Sequence, residues 1–167
     1  LETYASSAAV TLTKGGYNSL AVRFVKNGVA SRALETQVYA YTITFNSQLG
    51  TAVPTQYKAM GDTVELADAN RANYDFMGWY NIPGGAAGNG ALFDGTFTAT
   101  GDVTLYAYYL PKSFTLTYSF GRHGSGTELT AQVRYRENYT LQVPVTSRAT
   151  QMFDGWFTGE NGTGARL

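Results

Sequence analysis

The stretch Phe76-Met77-Gly78-Trp79-Tyr80 recurs 77 positions later as Phe153-Asp154-Gly155-Trp156-Phe157. Both stretches place a glycine directly before a tryptophan and an aromatic residue directly after it. Self-similarity at a long, fixed period indicates that one structural unit has been duplicated along a chain. The sequence therefore predicts two copies of one module.

Two further segments support this duplication. YTITF at residues 41–45 recurs as FTLTY at residues 114–118, which is 73 positions later. TVEL at residues 63–66 recurs as TLQV at residues 140–143, again 77 positions later. The difference between the two offsets predicts one short insertion in the loop after Tyr118, where Gly121, Gly124 and Gly126 cluster, since surface loops tolerate insertions.

The pattern within these segments is that of β-strands. Tyr41, Ile43 and Phe45 alternate with threonines, so that they share one face of a strand. The chain contains 13 tyrosines and 19 glycines, and these residues favour strands and turns respectively. The one window without strand or turn signals, residues 66–73, is too short for a standard helix. Asn27-Gly28 predicts a hairpin turn, because both residues tolerate a positive φ. The predicted fold class is all-β.

The two predicted copies differ at their ends. Residues 101–109 (GDVTLYAYY) predict a turn that leads into a strand closing the first copy, and Leu110-Pro111 predicts a short linker. No such strand follows Trp156, so the second copy is predicted to be truncated before its closing strand. Two explanations stay open: the sequence is a cut or processed piece of a longer array, or the N-terminal strands or another chain supply the strand.

The order of segments in the first copy resembles the Listeria–Bacteroides repeat, the B-repeat of internalin-type surface proteins. The resemblance is carried by the opening strand (residues 41–45), the FMGWY stretch (residues 76–80) and the closing GDVTLYA stretch (residues 101–107). It implies a β-grasp-like module that is strung in arrays on secreted or cell-surface bacterial proteins.

The N-terminal residues resemble a different kind of module. VTLT at residues 10–13, LAVRF at residues 20–24 and VKNGVAS at residues 25–31 are similar to the second half of the Ig-like β-sandwich at the C-terminus of chitobiase-type proteins. The predicted division is thus a partial Ig-like module (1–40), a first β-grasp-like repeat (41–110) and a second, truncated repeat (111–167).

Composition excludes several functions. The formal net charge is zero, so no basic stripe is expected to bind nucleic acid. No apolar run approaches the length of about 20 residues that spans a membrane. The sequence has no cysteine, which excludes disulfides, thiolate metal sites and cysteine nucleophiles. No cofactor and no metal site are predicted.

No catalytic residues are predicted either. His123 is the single histidine and sits in a glycine-flanked loop, whereas a triad or a zinc site needs a positioned base or several ligands. Glycosidase chemistry needs two carboxyl groups across a cleft, and no spacing selects a pair from Asp75, Asp94, Asp102 and Asp154. We therefore expect a protein that is not an enzyme.

The most specific hypothesis concerns the two tryptophans, Trp79 and Trp156. An aromatic face can serve as a sugar-stacking platform, but recurrence at equal register favours two buried core anchors. The predicted structural core residues are Phe76, Gly78, Trp79, Phe153, Gly155 and Trp156.

Tyr106 and Tyr108 share one face of the predicted closing strand, and two readings of this face stay open. It is a candidate partner surface, since tyrosine is enriched at interfaces, or it packs on a neighbouring module.

Three functional hypotheses follow from the sequence. The first is an extracellular stalk or spacer in an adhesin-like bacterial surface protein, whose partners are the neighbouring modules of the same chain. The second is a module that binds a host glycan or host protein. The third is an accessory segment of a secreted glycoside hydrolase.

Overall fold

The structure, a computed structural model, describes residues 9–120, 129–144 and 150–167. Most of its regular structure is strand, which confirms the all-β class. The chain divides into two compact units, Leu1–Leu110 (unit 1) and Pro111–Leu167 (unit 2). Within the described ranges, no helix has the length and apolarity needed to cross a membrane.

Ten strands begin within the described part of unit 1. They are β1 (Gly16–Val22), β2 (Val25–Lys26), β3 (Val29–Ala30), β4 (Leu34–Asn46), β5 (Gln56–Ala59), β6 (Thr63–Glu65), β7 (Tyr74–Tyr80), β8 (Leu92–Phe93), β9 (Thr96–Thr98) and β10 (Val103–Pro111). The glycine-rich loop between β7 and β8 forms a 3₁₀ turn at Gly85–Gly88.

The main sheet has the order β1-β4-β10-β7-β8, and β5 also pairs with β4. Strand β10 runs parallel to β4, with Val103 opposite Ile43, whereas β1 and β5 are antiparallel to it. Ile43 is paired with both Gln56 and Val103, so β5 and β10 lie on opposite edges of β4. The central strand of the unit is therefore β4, the strand that YTITF predicts.

The core of unit 1 lies on one face of this sheet. Ile43, Val64, Trp79 and Leu105 have the largest fully buried side chains. Val64 comes from β6, which pairs with β9 in a separate two-stranded sheet. Full burial of such a side chain stabilises a fold by about 1.5–3 kcal/mol.

Residues 16–46 form a β2–β3 hairpin and an antiparallel pair of β1 with β4. Strands β2 and β3 pair across Asn27-Gly28, whose φ angles are 52° and 79°, which confirms the predicted turn. Strand β1 pairs with the first half of β4. Strand β4 is continuous across residues 40 and 41, where the predicted Ig-like module meets the first repeat. The division into three modules stays a prediction.

Unit 2 contains a hairpin of β11 (Ser113–Tyr118) and β12 (Leu129–Arg134). A 3₁₀ turn at Glu160–Gly162 and a single bridge between Phe157 and Arg166 order its last residues. The predicted insertion around Gly121, Gly124 and Gly126, and His123 with it, falls outside the described residues.

Candidate functional site

The Trp79 cluster holds unit 1 together. Trp79 is 1% exposed, and its ring makes edge contacts with Phe45 at 4.9 Å and with Phe76 at 5.7 Å between centroids. The indole Nε1–H donates a hydrogen bond of 2.9 Å to the carbonyl oxygen of Ala67. Its one polar group is thus satisfied, as burial requires.

Unit 2 reproduces this cluster around Trp156. The Trp156 ring contacts Tyr118 at 5.0 Å and Phe153 at 5.5 Å, and these residues match Phe45 and Phe76 in the repeat. The indole Nε1–H of Trp156 donates to the carbonyl oxygen of Gln142 at 3.1 Å. The two tryptophans therefore share two matching aromatic contacts, although their indole hydrogen bonds go to carbonyl groups at different positions of the repeat.

The Trp156 cluster is the more open of the two. Trp156 is only half-buried, and Leu116 is half-buried where Ile43, its match in unit 1, is fully buried. Phe120 lies against the Trp156 ring at 5.9 Å. The hydroxyl that Tyr118 has and Phe45 lacks forms a hydrogen bond with Tyr139, and this bond, together with burial, raises the pKa of Tyr118.

The glycine before each tryptophan has a backbone conformation that side chains disfavour. The φ angles are 112° at Gly78 and 151° at Gly155. A Cβ atom at Gly78 would lie 2.6 Å from Leu92 Cδ1, and one at Gly155 would lie 2.7 Å from Arg166 Nε. The backbone conformation selects glycine at these two positions, whereas the flexible side chains of Leu92 and Arg166 can move aside.

Tyr106 and Tyr108 lie half-buried on the face of β10 that is opposite Leu105 and Ala107. The ring of Tyr108 makes an edge contact with Tyr80, with 5.5 Å between centroids. The backbone of Gly85 lies directly against the Tyr108 ring and leaves no room for a Cβ atom. The glycine-rich loop thus covers part of Tyr108, and a role of this face in partner binding stays a prediction.

Asp102 has a structural role that sequence reasoning missed. The sequence predicts a turn at Asp102, but its Oδ1 accepts a 2.7 Å hydrogen bond from the backbone N–H of Thr42, 60 residues away. This bond joins the start of β10 to β4. The signal available in the sequence was the acid directly before the closing strand, although its distant partner could not be read from the sequence.

Tyr109 ties the other end of β10 to the sheet. Its hydroxyl donates a 3.0 Å hydrogen bond to the carbonyl oxygen of Ser47, and its ring contacts Phe76. Burial raises the pKa of Tyr109 above 10.0, and the guanidinium of Arg71 partly opposes this shift. Arg71 itself lies over the ring of Tyr74, at 4.0 Å from its centroid.

An exposed tyrosine row, also missed from sequence, extends from the core onto the N-terminal hairpin. Tyr17 and Tyr39 face each other across β1 and β4 at 5.1 Å, and Tyr39 contacts Tyr41 at 5.5 Å. Tyr17 is 65% exposed and Tyr39 is 44% exposed. These rings present aromatic surface to solvent, whereas Trp79 does not.

A shallow depression of about 310 Å³ lies beside Trp79. Its walls include the apolar side chains of Phe76 and Leu92 and the carboxylates of Asp68 and Asp94. Across residues 9–120, 129–144 and 150–167, no group of three or more His, Cys, Asp or Glu residues is placed to hold a metal ion.

Comparison with known proteins identifies the repeats. The family model described as the Listeria-Bacteroides repeat domain matches residues 41–108 and 114–166, which is well over half of the chain. The two matched ranges contain the Trp79 cluster and the Trp156 cluster respectively. No curated protein and no solved structure matches the chain.

Proposed function

The chain belongs to the Listeria-Bacteroides repeat domain family, and on that premise we propose that it is a spacer in an adhesin-like protein of the bacterial surface. The family is typical of extracellular and surface proteins and is not known as a catalytic family. A spacer must resist unfolding and limit bending, and it requires no reactive groups.

The observation that carries this proposal is the way the two copies follow each other. Strand β10 of the first copy ends at Pro111, and strand β11 of the second copy begins at Ser113. Lys112 is the single residue between them. A connection of one residue has few free backbone dihedral angles, and proline at its start fixes one of them. Such a connection restricts hinge motion more than a flexible linker does.

The aromatic clusters give the proposal a second support. Each tryptophan is anchored by at least two aromatic contacts and one indole hydrogen bond within its own copy. Copies that are stabilised internally can be added to an array without redesign of their cores.

NMR relaxation of the ¹⁵N-labelled chain tests the spacer proposal. We expect similar rotational correlation times for amides of residues 41–108 and of β11 and β12, because the short connection couples their tumbling. A variant with ten Gly-Ser residues inserted after Lys112 should separate the two correlation times. Independent tumbling of the two copies in the natural chain would refute the proposal.

The exposed tyrosine row favours a second candidate function, the binding of a glycan or a protein. Tyr17 and Tyr39 offer aromatic faces outside the core, and aromatic residues are frequent binding anchors. A glycan array probed with the natural chain and with the Tyr17→Ala/Tyr39→Ala variant tests this. Glycans that bind the natural chain but not the variant would support this binding function. If no glycan on the array binds the natural chain, the spacer function is the one that remains.

A further inference from the structure

Three asparagine-glycine pairs occur in the chain, at residues 27–28, 89–90 and 161–162. In such a pair the backbone nitrogen of the glycine can attack the side-chain carbonyl carbon of the asparagine, because glycine has no Cβ atom to obstruct the approach. Two of the pairs lie in unit 1, and they provide a comparison within one folded unit.

The two pairs of unit 1 are alike in conformation and exposure. Asn27 has a φ angle of 52° and Asn89 has a φ angle of 59°, and both residues are exposed. The shape of the asparagine backbone and the access of water therefore do not distinguish them. The difference lies in the glycine that follows each asparagine.

Gly90 is held in place by its surroundings. Its backbone N–H donates a 2.9 Å hydrogen bond to the carbonyl oxygen of Gly85. A Cβ atom at Gly90 would lie 3.0 Å from Ile82 and 3.3 Å from Tyr80, so the residue is tightly packed. To reach the side chain of Asn89, the nitrogen of Gly90 would have to give up this hydrogen bond and turn within a crowded loop.

Gly28 is free of such restraints. It lies at the tip of the β2–β3 hairpin with a φ angle of 79°, and apart from its chain neighbours no described atom lies within 4 Å of the place of a Cβ atom. Its backbone N–H makes no hydrogen bond with any residue that the structure describes. The nitrogen of Gly28 is thus open to solvent, where hydroxide can remove its proton.

The hairpin that carries Asn27 also opens at low cost. Strands β2 and β3 form a sheet of their own with two residue pairs, Val25 with Ala30 and Lys26 with Val29. All four of these residues are exposed. A two-stranded hairpin without a buried face is marginally stable, so the turn can rearrange and bring the glycine nitrogen to the asparagine side chain.

We propose that Asn27 is a site of spontaneous deamidation, whereas Asn89 is protected by the fold. The nitrogen of Gly28, after loss of its proton to hydroxide, forms a bond to the side-chain carbonyl carbon of Asn27. The bond from that carbon to the side-chain nitrogen breaks, and the nitrogen takes a proton from water and leaves as ammonia. Water then opens the five-membered imide at either of its carbonyl carbons, which gives aspartate or isoaspartate at this position.

Both products change the chain at a turn that is now neutral. Each adds a carboxylate, so the acidic residues, which equal the basic ones at 12 each, come to exceed them by one. Isoaspartate also inserts one extra carbon into the main chain, which disturbs the pairing of Lys26 with Val29 beside the turn. This inference goes beyond the spacer function, because it assigns the chain a covalent change that proceeds with age and needs no enzyme.

Peptide mapping by mass spectrometry of the full chain, aged at mildly alkaline pH, tests the proposal. Each deamidation adds about 1 Da to the peptide that contains it. We expect Asn27 in the folded chain to convert at least roughly tenfold faster than Asn89, since the latter must first lose a hydrogen bond and its packing. In urea, where both turns are unfolded, the two rates should become similar.

Two variants separate the chemistry from the fold. Asn27→Gln would need a larger ring for the same attack, so the gain of mass at this position should stop. Gly85→Ala places a Cβ atom against the Tyr108 ring and should displace the loop, so that amide exchange at Gly90 and deamidation of Asn89 both become faster.

Three outcomes would overturn the proposal. The first is that Asn27 gains no mass in the folded chain although it does so in urea. The second is that Asn89 converts as fast as Asn27 in the folded natural chain. The third is that Asn89 stays unreacted in the Gly85→Ala variant although exchange at Gly90 has become fast.

Discussion

At the scale of single residues, the tryptophan clusters combine three requirements in one short stretch. Gly78 and Gly155 accept a positive φ, and the tryptophan that follows turns its ring toward the core and its Nε1–H toward a carbonyl oxygen of the same copy. The sequence predicted these residues as core, because the same glycine-tryptophan pair recurs at one offset. The greater exposure of Trp156 could not be predicted, since it depends on strands that are distant in sequence.

Replacement of the tryptophans should affect the two units unequally. Trp79→Ala removes a fully buried ring and is expected to lower the free energy of unfolding of unit 1 by about 3–5 kcal/mol. Trp156→Ala removes a half-buried ring, and its expected effect on unit 2 is about 1–3 kcal/mol. Urea denaturation followed by NMR signals of each unit measures both values. Met60→Ala, at a more exposed position of unit 1, is the control and should change stability by less than about 0.5 kcal/mol. Equal effects of the two tryptophan variants would contradict this reading of their burial.

Tyr109 should make unit 1 sensitive to alkaline pH. Its pKa is raised in the folded chain by burial, so the unfolded chain loses the hydroxyl proton at lower pH than the folded chain does. Stability is then unaffected by this group below about pH 10 and falls as pH rises above that value. Tyr109→Phe should weaken that fall, although it also removes the hydrogen bond to Ser47 and lowers stability at neutral pH by about 1 kcal/mol. Denaturation of both proteins between pH 7 and pH 11 measures the difference, and identical alkaline slopes would rule out the role of Tyr109.

At the scale of secondary structure, the sequence pattern predicted the strands and turns well but did not predict how the strands pair. Alternation identified β4 and β10, and Asn27-Gly28 identified the β2–β3 turn. The parallel pairing of β10 with β4 joins residues about 60 positions apart, and periodicity carries no information on such partners. The continuity of β4 across residues 40 and 41 could not be predicted from the sequence either. It depends on the pairing of β1 with the first half of the strand.

Asp102 gives a test of how β10 is fixed on β4. Asp102→Ala removes the acceptor for the Thr42 amide, and the expected loss of stability is about 0.5–1.5 kcal/mol at this exposed site. Asp102→Asn keeps an acceptor oxygen and should lose less. Asp94→Ala, which changes another acid of the same unit, is the matched control. Faster amide exchange at Thr42 in the Asp102→Ala variant alone would show that the loss of stability comes from this hydrogen bond. Unchanged exchange at Thr42 would show that the bond does not hold β10 on β4.

At the scale of the whole molecule, the two copies share one design, and the described residues of unit 2 form fewer strands than those of unit 1. Each has an opening strand, an aromatic cluster and an indole hydrogen bond, whereas the described part of the second copy has no strand at the place of β10. In repeat proteins, stability is close to a sum of terms from each unit and from its neighbours. In the described parts of this chain, unit 2 has fewer buried apolar groups and fewer paired strands than unit 1, so it should open more readily.

This difference predicts two distinct stabilities within one chain. Native-state hydrogen exchange in low urea should show amides of β11 and β12 exchanging through openings of lower free energy than amides of β4 and β10. The physical reason is that Ile43, Trp79 and Leu105 are fully buried in unit 1, while Leu116 and Trp156 are half-buried in unit 2. Thr117→Val serves as the control in unit 2, because it alters an exposed side chain without changing a paired backbone group. If both units opened with one common free energy, the chain would be a single cooperative unit, and the treatment of its two copies as separately stabilised modules would have to be given up.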